Sequence, residues 1–321
     1  MFDTANFPNA KKIWYMGKIL DWNDAMIHSQ SHALHYGTSV FEGIRAYSTD
    51  RGPAVFRLEE HMVRFMHSAK VLMMQVPYTK AEIIDTIKLV IRENQLSSAY
   101  IRPLLLYGYG NLGLVPWASP TELIISAWEW GAYLGKAAEN GVHIFILPWR
   151  RIHHSQTHMG AKLGGNYVQS AFCDMIAREK GYDEAAFLNL EGNVAEGPGA
   201  NILIVKDGII RTNDRTESIL EGITRTTILQ IAEDQGFKTE IGPMTKADLF
   251  AADEVMFTGT AVEIAPITRI TDGSVPGEPE KEHEIGDGQP GPVTKQLKSV
   301  YLETVTGRQP QYDRWLTYVN E

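Results

Sequence analysis

The sequence predicts an α+β fold in two domains, and three observations carry that reading. Strand-sized apolar runs stand beside separate amphipathic segments rather than in strict alternation with them, which is the α+β pattern. The 321 residues are about twice a typical domain. A glycine- and alanine-rich stretch, 131–141, separates two sets of strand patterns and is read as a linker between domains at 1–130 and 142–321.

In chain order, Lys12–Met16 and Ala54–Arg57 read as strands. Arg57–Leu72 carries Leu58, Met62, Phe65, Met66 and Ala69 at helical spacing, and Ile83, Ile84, Ile87, Val90 and Ile91 repeat that signal. Tyr100–Tyr107 and Glu122–Trp128 are strand-like, as are Val142–Leu147, Ala186–Leu190, Ile202–Val205 and Val255–Phe257 beyond the linker. Asn166–Lys180 predicts a helix with Val168, Phe172, Met175 and Ile176 inward and Gly181 as its stop. Thr224–Gln235 predicts another, closed by Gly236. Thr245 and Asp248 have capping-box spacing, and Gly273–Gly291, dense in glycine, proline and charge, reads as a loop.

Composition narrows the function. Apolar residues at 44% and charged residues at 21% are globular values. Thirty-nine acids against thirty bases leave a diffuse net charge of −9, which excludes nucleic-acid and anionic-membrane partners, since both need clustered Lys and Arg. A single cysteine, Cys173, excludes an intrachain disulfide framework and a cysteine-based metal site. Met1–Trp14 lacks a signal-peptide pattern, and no apolar run approaches the ~20 residues that cross a bilayer. A soluble, cytoplasmic protein is expected.

Two patterns are set aside. Gly108-Tyr-Gly-Asn-Leu-Gly113 matches a dinucleotide fingerprint, but Pro116 and Pro120 oppose the helix that must follow, so an oxidoreductase built on it is rejected. His28, His32 and His35, and His153, His154 and His158, cluster without the acidic companion of a zinc-hydrolase helix, and no metal is expected.

Four glycine-framed segments suggest chemistry. Lys162 lies between small residues in Gly160-Ala-Lys-Leu-Gly-Gly165, where a planar group can approach and a Schiff base can form. Glu196 sits in a tight turn, Val194-Ala-Glu-Gly-Pro-Gly-Ala-Asn201, where a carboxylate can hold a protonated ring nitrogen. Gly222-Ile-Thr224 opens a predicted helix whose amides can bind phosphate, and Thr224 is equally a candidate helix cap. Thr258-Gly-Thr260-Ala261 offers further anion donors. Each taken singly is also an ordinary turn.

Together these are the parts of a pyridoxal phosphate site, and at this point the sequence resembles the fold-type IV pyridoxal-phosphate enzymes, most closely the branched-chain amino acid aminotransferases. The segments that carry the resemblance are His32–Arg45, Ala99–Pro103, Ala161–Tyr167, Gly222–Arg225 and Gly259–Glu263, in the family's order over nearly the whole chain. The resemblance implies a small α+β domain and a larger pseudo-barrel α/β domain with pyridoxal 5′-phosphate between them, in a homo-oligomer that is at least a dimer. It implies that Lys162 holds the cofactor and shuttles the proton, Glu196 pairs with the pyridine nitrogen, and Tyr167 bonds the phenolic oxygen. Arg57, the amides of Ile223 and Thr224 beside Gly222, and the Thr260 hydroxyl hold the phosphate. Tyr100 with Thr260 and Ala261 receives the α-carboxylate. Arg102, helped by Tyr36 and Tyr133, receives the side-chain carboxylate of glutamate, and Phe41, Trp130 and Tyr133 line the aliphatic pocket.

The implied reaction passes the amino group of L-leucine, L-isoleucine or L-valine to 2-oxoglutarate. D-amino acid and (R)-amine transaminases of the same fold, or a dual-activity enzyme, are the alternatives. As a rule those relatives lack the Tyr100-x-Arg102 pair, whose two side chains share one face of a strand. The loop Gly113–Trp117 corresponds to the segment that in relatives completes the neighbouring subunit's pocket.

Overall fold

A computed structural model describes residues 10–131 and 134–321. The chain divides into two compact units. The first contains the chain up to Gly131 together with Ala161–Gly165 and Glu303–Glu321, and the second contains the remainder up to Leu302.

The first unit is an antiparallel eight-stranded sheet covered by helices. Its strands run in the order Leu316–Tyr318, Gly52–Phe56, Ile44–Thr49, Ala99–Tyr107, Thr121–Trp128, Lys12–Tyr15 and Lys18–Asp21, and Ser39–Phe41 adds to Ala99–Tyr107. The helix Leu58–Val71 buries Leu58, Met62, Phe65 and Ala69, and Lys80–Glu93 buries Ile83, Ile87, Val90 and Ile91. These side chains pack with Val40, Ile44, Val55, Ile101, Leu105, Leu123 and Ile125 of the sheet into one core. Thr79 and Glu82 close a capping box at the start of the second helix.

The second unit is a mixed eight-stranded sheet. Its order is Lys238–Ile241, Ile209–Thr212, Asn201–Lys206, Glu254–Gly259, Glu263–Asp272, Val142–Ile146 and Glu184–Ala186, with Lys281–Glu284 on Glu263–Asp272. Thr245 and Asp248 form their capping box. No helix among the described residues is long and apolar enough to cross a membrane.

Four expectations differ from the structure. Residues 161–165 and 303–321 do not join the second unit. Ala161 and Leu163 are buried in the first unit's core, Leu163 bridges Val40, and Leu316–Tyr318 pairs with Gly52–Phe56. The expected linker is also shorter, because Leu134 and Ala137 pack against the second unit's core.

In the helix Tyr167–Glu179 Ile176 packs against the core as expected, but the other three residues expected inward do not. Val168, Phe172 and Met175 are 72%, 47% and 70% exposed, while Ser170, Cys173 and Ala177 are buried. Both sets have helical spacing, and the small one lets the helix lie close to Phe145, Leu147 and Phe187. Within the expected loop 273–291, Lys281–Glu284 forms an edge strand whose charged side chains mask its period.

Candidate active site

Within the first unit, Lys162 is held from two sides. Its N–H donates to Ser68 Oγ (2.9 Å), and its carbonyl accepts from Phe41 N–H (3.3 Å). Lys162 Nζ stands 4.8 Å from the centre of the Phe41 ring, and the Arg102 guanidinium lies 4.7 Å from the same ring. Tyr100 and Arg102 share a face as expected, with Arg102 Nη2 donating to the Tyr100 hydroxyl (3.0 Å). Trp130 meets Tyr100 edge-on at 4.3 Å. The Tyr100 hydroxyl is seated where Gly43 has no side chain, since a Cβ there would overlap it. Arg102 Nε is buried with no hydrogen-bond partner among the described residues.

Arg57 precedes the helix Leu58–Val71 at φ 52°, a left-handed conformation that costs a non-glycine residue about 1 kcal/mol. Its N–H donates to Trp315 O (2.7 Å), its guanidinium stacks 4.8 Å from the Trp315 ring, and Nε pairs with Glu60 (2.6 Å). Tyr36 turns toward the glycine loop, its hydroxyl donating to Leu112 O (3.2 Å). Tyr133 lies outside the described residues. The glycine segment itself opens a loop that runs to Thr121 without a helix. His32 ties that loop down, with Nε2 donating to Gly113 O (2.9 Å) and Nδ1 accepting from Thr38 Oγ1 (2.8 Å).

Sequence reasoning missed a buried cluster beside Lys162. Glu42, fully buried, accepts from Arg64 Nε (2.6 Å) and Nη2 (2.8 Å) and from His61 Nδ1 (2.8 Å). Burial works to raise the Glu42 carboxyl, but the Arg64 charge and the bonds from Arg64 and His61 outweigh it and leave it far below the usual range. Burial pushes the His61 imidazole down, so it is neutral and carries its proton on Nδ1. Glu42, His61 and Arg64 are too far apart in sequence, and too ordinary singly, for spacing to reveal them.

Within the second unit, three turns meet at one end of the sheet, because Asn201 stands opposite Thr258 across adjacent strands. Glu196, buried, accepts from Arg151 Nε (3.0 Å), Leu220 N–H (3.1 Å) and Asn201 Nδ2 (3.4 Å). Asn201 Oδ1 accepts from Gly222 N–H (2.9 Å), and a Cβ on Gly222 would collide with that oxygen. Arg151, also missed from sequence, reaches Gln169 Oε1 (3.2 Å) and Ser170 Oγ (3.3 Å) in the first turn of the helix begun by Tyr167.

The helix Ile223–Asp234 has Gly222 as its N-cap and no side-chain cap, so Thr224 is not the cap, and the amides of Ile223 and Thr224 lie in its open first turn. Thr260 and Ala261 form the turn between Glu254–Gly259 and Glu263–Asp272.

The first unit by itself presents an amine on an aromatic face with a guanidinium on the same ring. The second by itself presents an anchored carboxylate, a phenol at a helix start and an uncapped helix N-terminus, groups of the kind that hold a pyridine nitrogen and a phosphate. Among the described residues no three His, Cys, Asp or Glu side chains are grouped to hold a metal ion.

Residues 39–270 match the family described as amino-transferase class IV. The chain is 42% identical over 308 residues to the branched-chain-amino-acid aminotransferase of Pseudomonas aeruginosa, an alignment that spans 96% of this chain and 97% of that one. It is similar to the structure of the T.th. branched-chain amino acid aminotransferase with pyridoxamine 5′-phosphate, at a TM-score of 0.90 and 46% identity over 97% and 99% of the two chains. The same T.th. enzyme complexed with N-(5′-phosphopyridoxyl)-L-glutamate gives a TM-score of 0.89 at 44% identity, with the same coverage.

Proposed function

The chain belongs to the class IV amino-transferases, and from that premise we propose that it passes the amino group of L-leucine, L-isoleucine or L-valine to 2-oxoglutarate. Its cofactor is pyridoxal 5′-phosphate, and the products are branched-chain 2-oxo acids and L-glutamate. The observation that carries this reading is the Phe41 ring with the Lys162 amine 4.8 Å and the Arg102 guanidinium 4.7 Å from its centre. An apolar surface and a carboxylate receptor stand together there beside a primary amine. That is what one pocket must offer when it takes an aliphatic and an acidic side chain in alternate half-reactions. The relatives named above, and the glutamate derivative bound to one of them, support it.

Pyridoxal phosphate, when bound, supplies a conjugated ring that accepts the electron pair left as the substrate Cα–H bond breaks. Lys162 Nζ would hold the cofactor and would carry the substrate Cα proton. Glu196 would pair with the ring nitrogen, and Arg151 holds that carboxylate in place. Tyr167 would donate to the phenolic oxygen. Arg57, the amides of Ile223 and Thr224, and the Thr260 hydroxyl would hold the phosphate, and Gly222 lets the turn close on Asn201. Tyr100 with Thr260 and Ala261 takes the α-carboxylate. Arg102, Tyr36 and Tyr133 take the distal carboxylate, and Phe41, Trp130 and Tyr133 exclude water around the aliphatic chain. The exposed apolar residues Tyr109, Leu112, Leu114, Val115 and Trp117 on one loop support a homo-oligomer, at least a dimer.

The test is the visible spectrum of the purified protein with L-leucine, L-glutamate or D-leucine and no oxo acid. Bleaching by both L-amino acids and not by D-leucine is expected. Bleaching by D-leucine alone assigns the D-selective chemistry instead, and the absence of any visible band rejects the cofactor.

A further inference from the structure

Arg57 makes a change of chain direction alone. The strand Gly52–Phe56 ends one residue before it and the helix Leu58–Val71 begins one residue after it. Its φ of 52° is the left-handed value that glycine adopts freely and other residues resist. A glycine would relieve that backbone but would carry no guanidinium. The carboxy-terminal segment holds Arg57 in this conformation. Leu316 pairs with Phe56 in register, and the Arg57 N–H carries the pairing one step further by donating to Trp315 O (2.7 Å). The Trp315 indole also stands 4.8 Å from the Arg57 guanidinium, so one residue engages both the backbone and the side chain of the other. That indole is itself fixed. Tyr312 stacks on it at 4.5 Å with the ring planes 7° apart, and Phe56 meets it edge-on at 6.2 Å. Trp315 and Tyr312 are both buried, and the Arg57 side chain is only 12% exposed. Glu60 bonds Arg57 Nε at 2.6 Å from the first turn of the helix.

We infer that Trp315 is a positioning residue for the phosphate end of the cofactor, fixing the left-handed backbone of Arg57 and the direction of its guanidinium. The inference rests on the assignment of Arg57 to the phosphate above. Lys162, Glu196 and Tyr167 are assigned to the ring, so loss of the indole loosens the phosphate and leaves the surroundings of the ring as they are.

The experiment compares the cofactor-loaded parent, Trp315→Leu, Arg57→Ala and the double variant, each well below its melting temperature. It reads the rate at which pyridoxamine 5′-phosphate leaves the protein, the phosphorus NMR resonance of the bound cofactor, and its absorption maximum. Trp315→Leu is expected to release the cofactor about 3- to 30-fold faster, the span for a partly to fully desolvated cation on an indole. Its phosphorus resonance is expected to move while the absorption maximum stays. A loss of stability alone would leave both in place in the folded protein. Arg57→Ala is expected to release the cofactor faster still, and the double variant no faster than Arg57→Ala. Three results overturn the inference: an unmoved phosphorus resonance in Trp315→Leu, an absorption maximum that moves with it, or single-variant factors that multiply in the double variant.

Should Trp315→Leu not fold, Trp315→Phe takes its place. Phenylalanine keeps a ring but seats a cation less well, so release is expected to be about two- to fivefold faster with the phosphorus resonance moved. Parent-like release and resonance, or a moved absorption maximum, overturn the inference. A parent protein with no visible band refutes the cofactor reading and this inference with it, whereas a band with multiplying factors refutes the inference alone.

Discussion

Replacing Arg102 by leucine should separate the two half-reactions. In the structure the guanidinium donates to the Tyr100 hydroxyl, and its buried Nε has no partner among the described residues. A carboxylate brought to that fork gains charge-assisted bonds of about 1.5–3 kcal/mol each. Two such bonds, less the attraction already made to the Phe41 and Tyr100 rings, amount to about 3–4 kcal/mol. At about 1.4 kcal/mol per tenfold, the L-glutamate half-reaction should slow by about 10²- to 10³-fold. L-Leucine has no distal carboxylate and loses only the indirect support of Tyr100, a net hydrogen bond of about 1 kcal/mol, hence about tenfold or less. Stopped-flow decay of the cofactor band with each amino acid reads both numbers on one preparation. Equal losses with the two donors would refute the assignment of Arg102 to the distal carboxylate.

Lys162→Ala should remove turnover and the lysine-dependent visible band while leaving melting temperature and oligomeric state near the parent's; retained turnover would mean the amine is misassigned. Arg151→Met leaves buried Glu196 without its cation, so kcat should fall by about 10²-fold or more and stability by about 3–5 kcal/mol, read by steady-state kinetics and urea unfolding. Gly43→Ala drives a Cβ into the Tyr100 hydroxyl; KM for L-amino acids should rise and stability fall by about 1–3 kcal/mol, and an unchanged KM would remove Tyr100 from the α-carboxylate site. Burial, and then hydrogen bonding to Asp174, push the Glu184 carboxyl up to about 9. Its folded value lies above its unfolded one, so its contribution is full below the ordinary carboxylate range and is lost as pH rises toward 9, by up to about 1.4 kcal/mol per pH unit. Melting curves across that range should show Glu184→Gln, which stays neutral, with a flatter profile than the parent, and parallel profiles would count against the shift.

What can be read from sequence follows the range of the interactions concerned. The helices over Leu58–Val71 and Lys80–Glu93, and the capping box at Thr245, depend on neighbours within one or two turns, so spacing reveals them. The box at Thr79 has the same local spacing and is a signal that sequence reasoning missed. The buried face of Tyr167–Glu179 keeps only Ile176 of the expected set because two helical stripes compete there, and close packing prefers Ser170, Cys173 and Ala177 over the larger Val168, Phe172 and Met175. For the site, the glycine-framed turns mark Lys162, Glu196, Gly222 and Thr260, since tight backbone leaves a compositional trace. The Tyr100 and Arg102 pair follows from strand period. Arg151, His61 and Arg64 leave no trace, because each acts on a partner 19 to 45 residues away, a separation that folding alone makes adjacent. The left-handed backbone at Arg57 is equally invisible, arginine being an unexpected residue there.

The strand Leu316–Tyr318 has a consequence for biosynthesis. It borders Gly52–Phe56 in the finished sheet, yet about 260 residues are polymerised between them. At a translation rate of about 5–20 residues per second, the nascent amino-terminal half waits roughly 13–50 s with that border unpaired. An open strand border is a template for intermolecular pairing, so the interval is when this polypeptide is most exposed to aggregation, and when a chaperone bound near Pro53–Phe56 would raise its yield. Circular permutants that bring 303–321 ahead of residue 10 would shorten the interval to almost nothing, and they should be recovered in soluble form at temperatures where the natural order of segments precipitates.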